Sequence, residues 1–269
     1  MSKTAPPSGG AALRPAPTLS VVVPLYRVGE AAHETCQRLR AHLDARATTY
    51  ELVFVEDGSA DGTAEVLEEL AARFSVVVAV VLPVNVGQSR AVAVGLAVAR
   101  GDVIVVLDAD LETGVDVIDR LCAAVRAGAE LACGRRLNRR QSRLRALGSA
   151  VVNAWLRARF GWPLHDFGCG SNAGSRALRD RWLKGSPGLS AIKLGLWSVA
   201  AATVEVEIDM RGAPPPVSSA RRTASSYGLV PLLRVFFSLL RPRALLAEPR
   251  AWPSYRVVVP GGGGAGAPG

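Results

Sequence analysis

The sequence predicts an α/β fold: a mostly parallel sheet covered by helices on both faces. Two observations carry this. Through the first half of the chain, short unbroken runs of Val, Ile and Leu alternate with segments of helical spacing, and strands buried on both faces read as continuous apolar runs. The acidic, polar and glycine residues follow those runs directly, at the carboxyl ends of strands where such sheets bind ligands.

In chain order, Ser20–Pro24 (SVVVP) predicts a buried strand closed by proline, and residues 30–46 carry helical spacing. Glu51–Val55 predicts a second strand, Asp61–Arg73 a helix, and Ser75–Leu82 a third strand. Gln88–Ala99 predicts a helix of small residues, Val103–Leu107 a fourth strand, and Val115–Arg126 another helix. Four loops then converge beyond the strands. Tyr26 and Glu30 follow the first, Glu56-Asp57-Gly58-Ser59 the second, Asn85 and Gly87 the third, and Asp108-Ala109-Asp110 the fourth. The first strand lacks a GxGxxG turn, which argues against a nicotinamide-dinucleotide fold.

A chain of 269 residues suffices for one α/β domain with a full core. Residues 1–18 and the Gly/Pro/Ala-rich end predict a disordered N-terminal tail and a flexible C-terminal tail over 248–269. The domain proper spans 19–215, and 216–247 forms a basic, amphipathic, membrane-proximal segment. Cys36, Cys122, Cys133 and Cys169 are scattered, which fits a reducing compartment with neither disulfides nor a zinc site. No signal-peptide pattern and no apolar run of spanning length is read, so the expectation is a cytoplasmic protein, peripheral at the inner face of the membrane.

Charge is distributed unevenly. Leu131–His165 holds eight arginines and no acid, and Arg211–Ala247 again excludes acids. One reading is a solvated face with Arg-biased usage, since only three lysines occur. The other is an anionic partner: phosphate groups, a membrane surface or nucleic acid. Nucleic acid is disfavoured because residues 131–150 carry no aromatic side chain between the arginines. On a helix over 229–240, Pro231, Arg234, Ser238 and Arg241 make one narrow polar stripe opposite a broad apolar face with Phe236 and Phe237. That pattern suits an interfacial helix, or one docked on the core. His33 and His42 are expected on a surface helix, and His165 alone in a loop.

In VIVVLDADLE (103–112), Asp108 and Asp110 stand one residue apart at a strand end. With Glu112 they supply hard oxygen ligands for Mg²⁺ or Mn²⁺, and a divalent ion on a diphosphate favours its departure. Asp-x-Asp also reads as a helix cap with exposed acids.

SVVVPLY, VEDGSADGT, NVGQSRAVAVGLAVARGDVIVVLDADLE and ACGRR occur in this order over roughly residues 19–240. Together they resemble the family 2 glycosyltransferases with the GT-A fold. Within that family they are closest to the branch of dolichol-phosphate mannose synthase and bacterial polyprenyl-phosphate glycosyltransferases. The resemblance implies a metal-dependent, inverting transfer of sugar from a nucleotide-sugar donor (UDP or GDP) to a polyprenyl-phosphate acceptor. It also implies attachment at an anionic membrane surface, alone or through a membrane-anchoring partner subunit. It places Asp57 against the nucleotide, Asp108 and Asp110 on nucleotide and metal, and Glu112 where Gln is common. Further donor contacts are Pro24, Tyr26 and Glu30 from the first loop, Glu56 from the second, Asn85, Gly87 and Gln88 from the third, and Ala109. Arg136 matches the arginine of G-x-R that approaches phosphates; Arg139, Arg140 and Ser226 (in the SSY stretch, 225–227) complete the acceptor phosphate set. Asp110, Arg136 and Asp166 form the catalytic set.

There are departures: Glu56 stands for the first Asp of VDDGS, Arg27 where Asn is common, and HDFGCGSNAGSR (165–176) matches only loosely. An ionised phosphate acceptor needs placing and charge balance, which arginines supply. A hydroxyl acceptor (small molecule, lipid or glycan) is the alternative. It needs a carboxylate base, and Asp166 is the one acid between Leu131 and Arg176. LRDRW at 178–182 is not the QxxRW of processive synthases, so chain elongation is not expected.

Overall fold

The computed structural model describes residues 15–138, 143–161, 164–185, 192–213, 215–217, 252–259 and 265–266. Each element read from the first half forms, with ends shifted by at most two residues: β1 (Leu19–Leu25), α1 (Ala31–Asp44), β2 (Tyr50–Asp57), α2 (Thr63–Arg73), β3 (Val77–Leu82), α3 (Gln88–Val98), β4 (Val103–Val106) and α4 (Val117–Arg126). The second half adds β5 (Leu131–Leu137), α5 (Arg143–Phe160), β6 (Asn172–Ser175), α6 (Arg176–Lys184), α7 (Ile192–Val199), β7 (Thr203–Asp209), β8 (Arg256–Val258) and the two-residue β9 (Ala265–Gly266).

Among the described residues the strands form one mixed sheet of order β7-β5-β6-β4-β1-β2-β3-β8-β9. Its centre, β3-β2-β1-β4, is parallel throughout. Strand order reverses between β1 and β4, and at such a switch point the diverging loops leave a crevice beyond the strand ends.

The period-2 geometry of β1 sorts the core. Val21, Val23 and Leu25 face the helices α1, α2 and α4, whereas Val22 faces α3, α6 and α7. α3 lies close to the sheet because its residue 95 is glycine: a Cβ there would stand 2.3 Å from Val22 Cγ1. Trp182, from the LRDRW stretch, is buried in this second cluster. Arg179 donates to the carbonyls of Leu96 and Ala99, satisfying the carboxyl end of α3. Those residues therefore hold α6 to the fold.

The chain ends differ from expectation. Pro17 is buried and Thr18 donates its N–H to Thr49 O (3.0 Å), so ordered packing begins before residue 19. The flexible tail expected over 248–269 is interrupted by β8, which pairs antiparallel with β3. Tyr255 is 7% exposed beside it. Composition suggested a tail because Gly and Pro surround this segment, but Tyr255, Arg256, Val257 and Val258 answer the open edge of β3. Val217, assigned to the segment beyond the domain, is buried and donates its N–H to Asp110 O at 2.8 Å. The amphipathic stretch 229–240 lies outside the described residues. Among the described residues no helix is long and apolar enough to cross a membrane.

Candidate active site

The loops after β1, β2, β3 and β4 meet as the sequence implies, and hydrogen bonds show which residues organise them. Asp57, at the end of β2, is buried. Its carboxylate accepts from the N–H of Val86 (2.7 Å), the N–H of Gly87 (3.0 Å) and Asn85 Nδ2 (3.1 Å). Burial pushes this carboxyl up despite the amide donors. Asp57 is thus the anchor of the 85–87 loop. Glu56, also buried, accepts from Gly58 N–H (3.0 Å) and Ser59 N–H, so the longer side chain in place of Asp closes its own turn. Gly58 has φ 64°, and a Cβ would meet Val84 C at 2.1 Å, so only glycine fits that crossing.

Other expected donor residues divide. Tyr26 is 43% exposed at the rim, with the Arg27 guanidinium 5.2 Å from its ring centroid. Arg27 adopts φ 54°, a left-handed conformation that Asn enters more readily than Arg. Pro24 is buried within β1. Glu30 faces solvent beside His33, 3.4 Å away. Gln88 opens α3 and donates Nε2 to Asp108 Oδ1 at 2.7 Å. Ala109 presents its carbonyl to Thr35 Oγ1 (3.0 Å), tying the DAD turn to α1. Leu111, buried with φ 49°, turns the chain between Asp110 and Glu112. Strain of this kind persists where the surroundings over-determine it.

Asp110 is 8% exposed, and its Oδ1 accepts the Glu112 N–H at 3.1 Å. The expected metal set of Asp108, Asp110 and Glu112 does not gather into one cage. Among the described residues no three His, Cys, Asp or Glu side chains stand close enough to hold an ion. The negative charge of Glu112 is felt instead by Arg136. The Asp108/Asp110 pair still fits Mg²⁺ or Mn²⁺. Mg²⁺ in particular is held by one or two carboxylates with substrate phosphates completing the shell.

Arg136 and Asp166 form a bidentate ion pair: Nε to Oδ2 2.9 Å and Nη2 to Oδ1 3.1 Å, with the Arg136 N–H also donating to Oδ2 at 3.1 Å. The side chains are 5% and 15% exposed. Burial opposes the charged form of Asp166, but the hydrogen bonds and charge of Arg136, with Lys193 beside it, hold the carboxyl below its ordinary value. Asp166 is therefore a partner for Arg136 and a weak base, not the free proton acceptor its isolation in the sequence suggested.

Sequence reasoning missed what holds this pair. Glu205 on β7 accepts from the N–H groups of His165 and Asp166 and from His165 Nδ1 (2.7 Å), so His165 is not alone in its loop. Lys193 on α7 donates Nζ to the carbonyls of Asp166 (3.4 Å), Phe167 (3.1 Å) and Cys169 (2.8 Å). Asn153 on α5 accepts the Phe167 N–H at 3.0 Å. His42, expected at the surface, has a 9%-exposed side chain 3.3 Å from Asp119 of α4 and belongs to the packing of α1 on α4. Arg139, Arg140 and Ser226 lie outside the described residues.

The loop so clamped joins the two halves of the site. At Gly168 a Cβ would stand 3.3 Å from Arg136 Nη2, and at Gly170 one would stand 2.2 Å from Asp108 Oδ2. Next to it, Arg136, Asp166, His165, Asn138, Ser149 and Asn153 line an open cavity of about 320 Å³ between β5 and α5. Gly170→Ala is expected to push Asp108 aside and reduce turnover far more than it lowers the melting temperature. Equal activity in this variant would show that Asp108 is not required in its observed place.

Comparison with known proteins supports the same assignment. The family model described as Glycosyl transferase family 2 matches residues 20–180. The undecaprenyl-phosphate 4-deoxy-4-formamido-L-arabinose transferase of Proteus mirabilis (strain HI4320) is 32% identical over 225 residues, 82% of this chain and 66% of that protein. The enzyme of the same name from Pseudomonas fluorescens (strain Pf0-1) is 33% identical over 233 residues, 85% and 66% respectively. The chain thus spans just under two thirds of the length of these relatives. Among solved structures, glucosyl-3-phosphoglycerate synthase from Mycobacterium tuberculosis, in complex with Mn²⁺, UDP and glucosyl-3-phosphoglycerate, superimposes with TM-score 0.53 at 22% identity (86% of this chain, 81% of that one). Mannosyl-3-phosphoglycerate synthase from Rubrobacter xylanophilus gives TM-score 0.55 at 17% identity (87% and 77%). At these identities the structures speak to the fold, which is GT-A. With the acid pair at the switch point, the arginine at the end of β5 and a family match across the sheet that carries both, this chain belongs to glycosyl transferase family 2.

Proposed function

We propose that this protein transfers a sugar from a nucleotide-diphosphate donor to the phosphate of a polyprenyl-phosphate lipid, inverting the anomeric centre. One observation carries the reading: a single loop, residues 165–170, touches Asp108 on one side and Arg136 on the other. The carboxylates that would face a departing diphosphate and the cavity that would face an incoming phosphate are therefore neighbours. The names of the curated relatives, transferases acting on undecaprenyl phosphate, support the acceptor class.

The chain's own groups have separable tasks. Asp57 fixes the 85–87 loop, and α3 starts at Gln88 without a side-chain cap, an arrangement that favours phosphate at a helix N-terminus. Asp108 and Asp110 would hold a divalent ion, which when bound neutralises charge growing on the diphosphate. Arg136, oriented by Asp166, presents positive charge to the cavity. A phosphate monoester is largely ionised at neutral pH, so its oxygen attacks the anomeric carbon without a base. The bond to the diphosphate oxygen breaks, and its electron pair leaves with the diphosphate. A hydroxyl acceptor fits less well, because the one acid among the described residues of the cavity wall, Asp166, is held by Arg136.

The test is transfer of radiolabelled sugar from a panel of nucleotide sugars into lipid extracts containing polyprenyl phosphate. The expected product is β-linked from an α-linked donor, read from the anomeric proton coupling. An α-linked product overturns inversion, and label confined to water-soluble glycosides overturns the lipid phosphate.

A further inference from the structure

We propose that His165, held by Glu205, is a ligand for the acceptor phosphate, reaching it from the cavity wall beside Arg136. This rests on the lipid-phosphate reading above and adds to it a donor that no motif marks.

The ring is placed as a ligand would be. His165 lines the open cavity between β5 and α5 together with Arg136, and its side chain is 50% exposed. Nδ1 stands 2.7 Å from Glu205 Oε2, on a carboxylate whose side chain is only 12% exposed. A carboxylate accepts, so the ring carries its proton on Nδ1. That leaves Nε2 as the nitrogen available to a bound molecule.

Glu205 fixes more than the ring. Its Oε1 accepts the N–H groups of His165 and Asp166. Asp166 in turn takes Arg136 through Nε and Nη2, which leaves Nη1. One carboxylate of β7 therefore sets the imidazole directly and the guanidinium at one remove, and two donors reach the cavity from one frame.

The charges around the ring decide what it binds. Glu205 stands on it from β7, Asp166 from its own loop, and Arg135 and Arg136 from β5, while α5 contributes the uncharged Ser149 and Asn153. Lys193 is turned to the loop carbonyls. Each acid already has a partner: Asp166 has Arg136, Glu205 has the ring, and Glu207 has Arg135 at 3.2 Å. With Glu205 on one side and an anionic phosphate on the other, the ring holds a proton on both nitrogens and donates Nε2–H to a phosphate oxygen. A hydroxyl acceptor supplies no such counter-charge. It would instead need Nε2 bare, as a base.

Full-length wild type, His165→Gln and Glu205→Gln are titrated at neutral pH with a short-chain, water-soluble prenyl phosphate in the absence of donor. Binding is read by calorimetry and the imidazole nitrogens by nitrogen NMR; transfer rates follow with donor present. His165→Gln should bind about tenfold more weakly, as expected for a lost hydrogen bond to a charged group. KM for the acceptor should rise in step, with kcat little changed. Glu205→Gln keeps Oε1 for the two backbone N–H groups but sets an amide N–H against Nδ1, so it too should bind more weakly. In wild type both ring nitrogens of His165 should be protonated once the prenyl phosphate is bound, and the matching prenyl alcohol should leave the ring singly protonated. The ring spectrum needs only wild type, so it decides whether or not a variant folds. A singly protonated ring in the phosphate complex overturns the proposal, as does a His165→Gln variant that loses kcat at unchanged affinity. Equal binding by wild type and His165→Gln overturns the proposal alone. A wild type that binds no prenyl phosphate sinks the acceptor reading and the proposal together.

Discussion

Replacing Asp110 by Asn is expected to slow sugar transfer by about a thousandfold while leaving the fold intact. The separation follows from geometry. Asp110 Oδ1 accepts the Glu112 N–H, and an amide oxygen can take the same bond, so the turn at Leu111 survives. What disappears is the negative charge needed for a divalent ion. Asp108→Asn should behave alike, since Gln88 can still donate to the remaining oxygen. Excess chelator should reproduce both variants in the wild type, and added Mn²⁺ or Mg²⁺ should restore it. The readouts are turnover beside a thermal melt. Full turnover in chelator removes the metal from the mechanism, and a variant that merely unfolds would show Asp110 to be structural.

The Arg136–Asp166 pair carries the largest expected change in stability. Arg136→Met leaves a carboxylate that is 85% buried (15% exposed) without its partner. Breaking such a pair from one side costs about 3–5 kcal/mol. Replacing both, as Arg136→Met/Asp166→Leu, should recover most of that loss because no buried charge remains. Transfer should stay absent, since the cavity has lost the Arg136 guanidinium, the one of its two arginines that Asp166 orients. Denaturant melts and transfer rates on the two variants separate the effects, and activity in the double variant would remove Arg136 from acceptor binding. The pH dependence has a definite sign. The Asp166 carboxyl is held below its ordinary value, so the unfolded chain takes up its proton first as pH falls. The pair's contribution is full above the ordinary carboxylate value of about 4 and is lost as pH drops through the lower folded value. The stability gap between wild type and the Asp166→Leu-containing double variant should narrow across that acidic window.

The sequence made the first half legible because its signals are local. Buried parallel strands announce themselves as runs such as SVVVP and VIVV, and the ligand loops follow each run directly. DADLE needs no tertiary knowledge to suggest a cation. The roles of single residues were harder. Asp57 reads as a ligand contact, yet its oxygens are turned onto the amides of Val86 and Gly87, a relation across about thirty residues that no spacing rule encodes. Glu205 and Lys193 sit in ordinary strand and helix patterns. They matter because β7 lies beside β5 and α7 beneath the 165–170 loop, facts of topology. Asp166 looked like a solitary acid, and its partner was an arginine already assigned to a different task.

The strand β8 has a consequence for handling this protein. β3 reads VVAVVL, six apolar residues without a charge or proline. An uncovered edge of that composition is a template for pairing with other chains. Arg256–Val258 occupies that edge, and Arg256 reaches Glu68 on α2 to fasten it. A stop codon placed before residue 252, as the tail-like composition would invite, would strip the cover. The shortened protein should form fibrous or amorphous aggregates at concentrations where the intact chain stays dispersed.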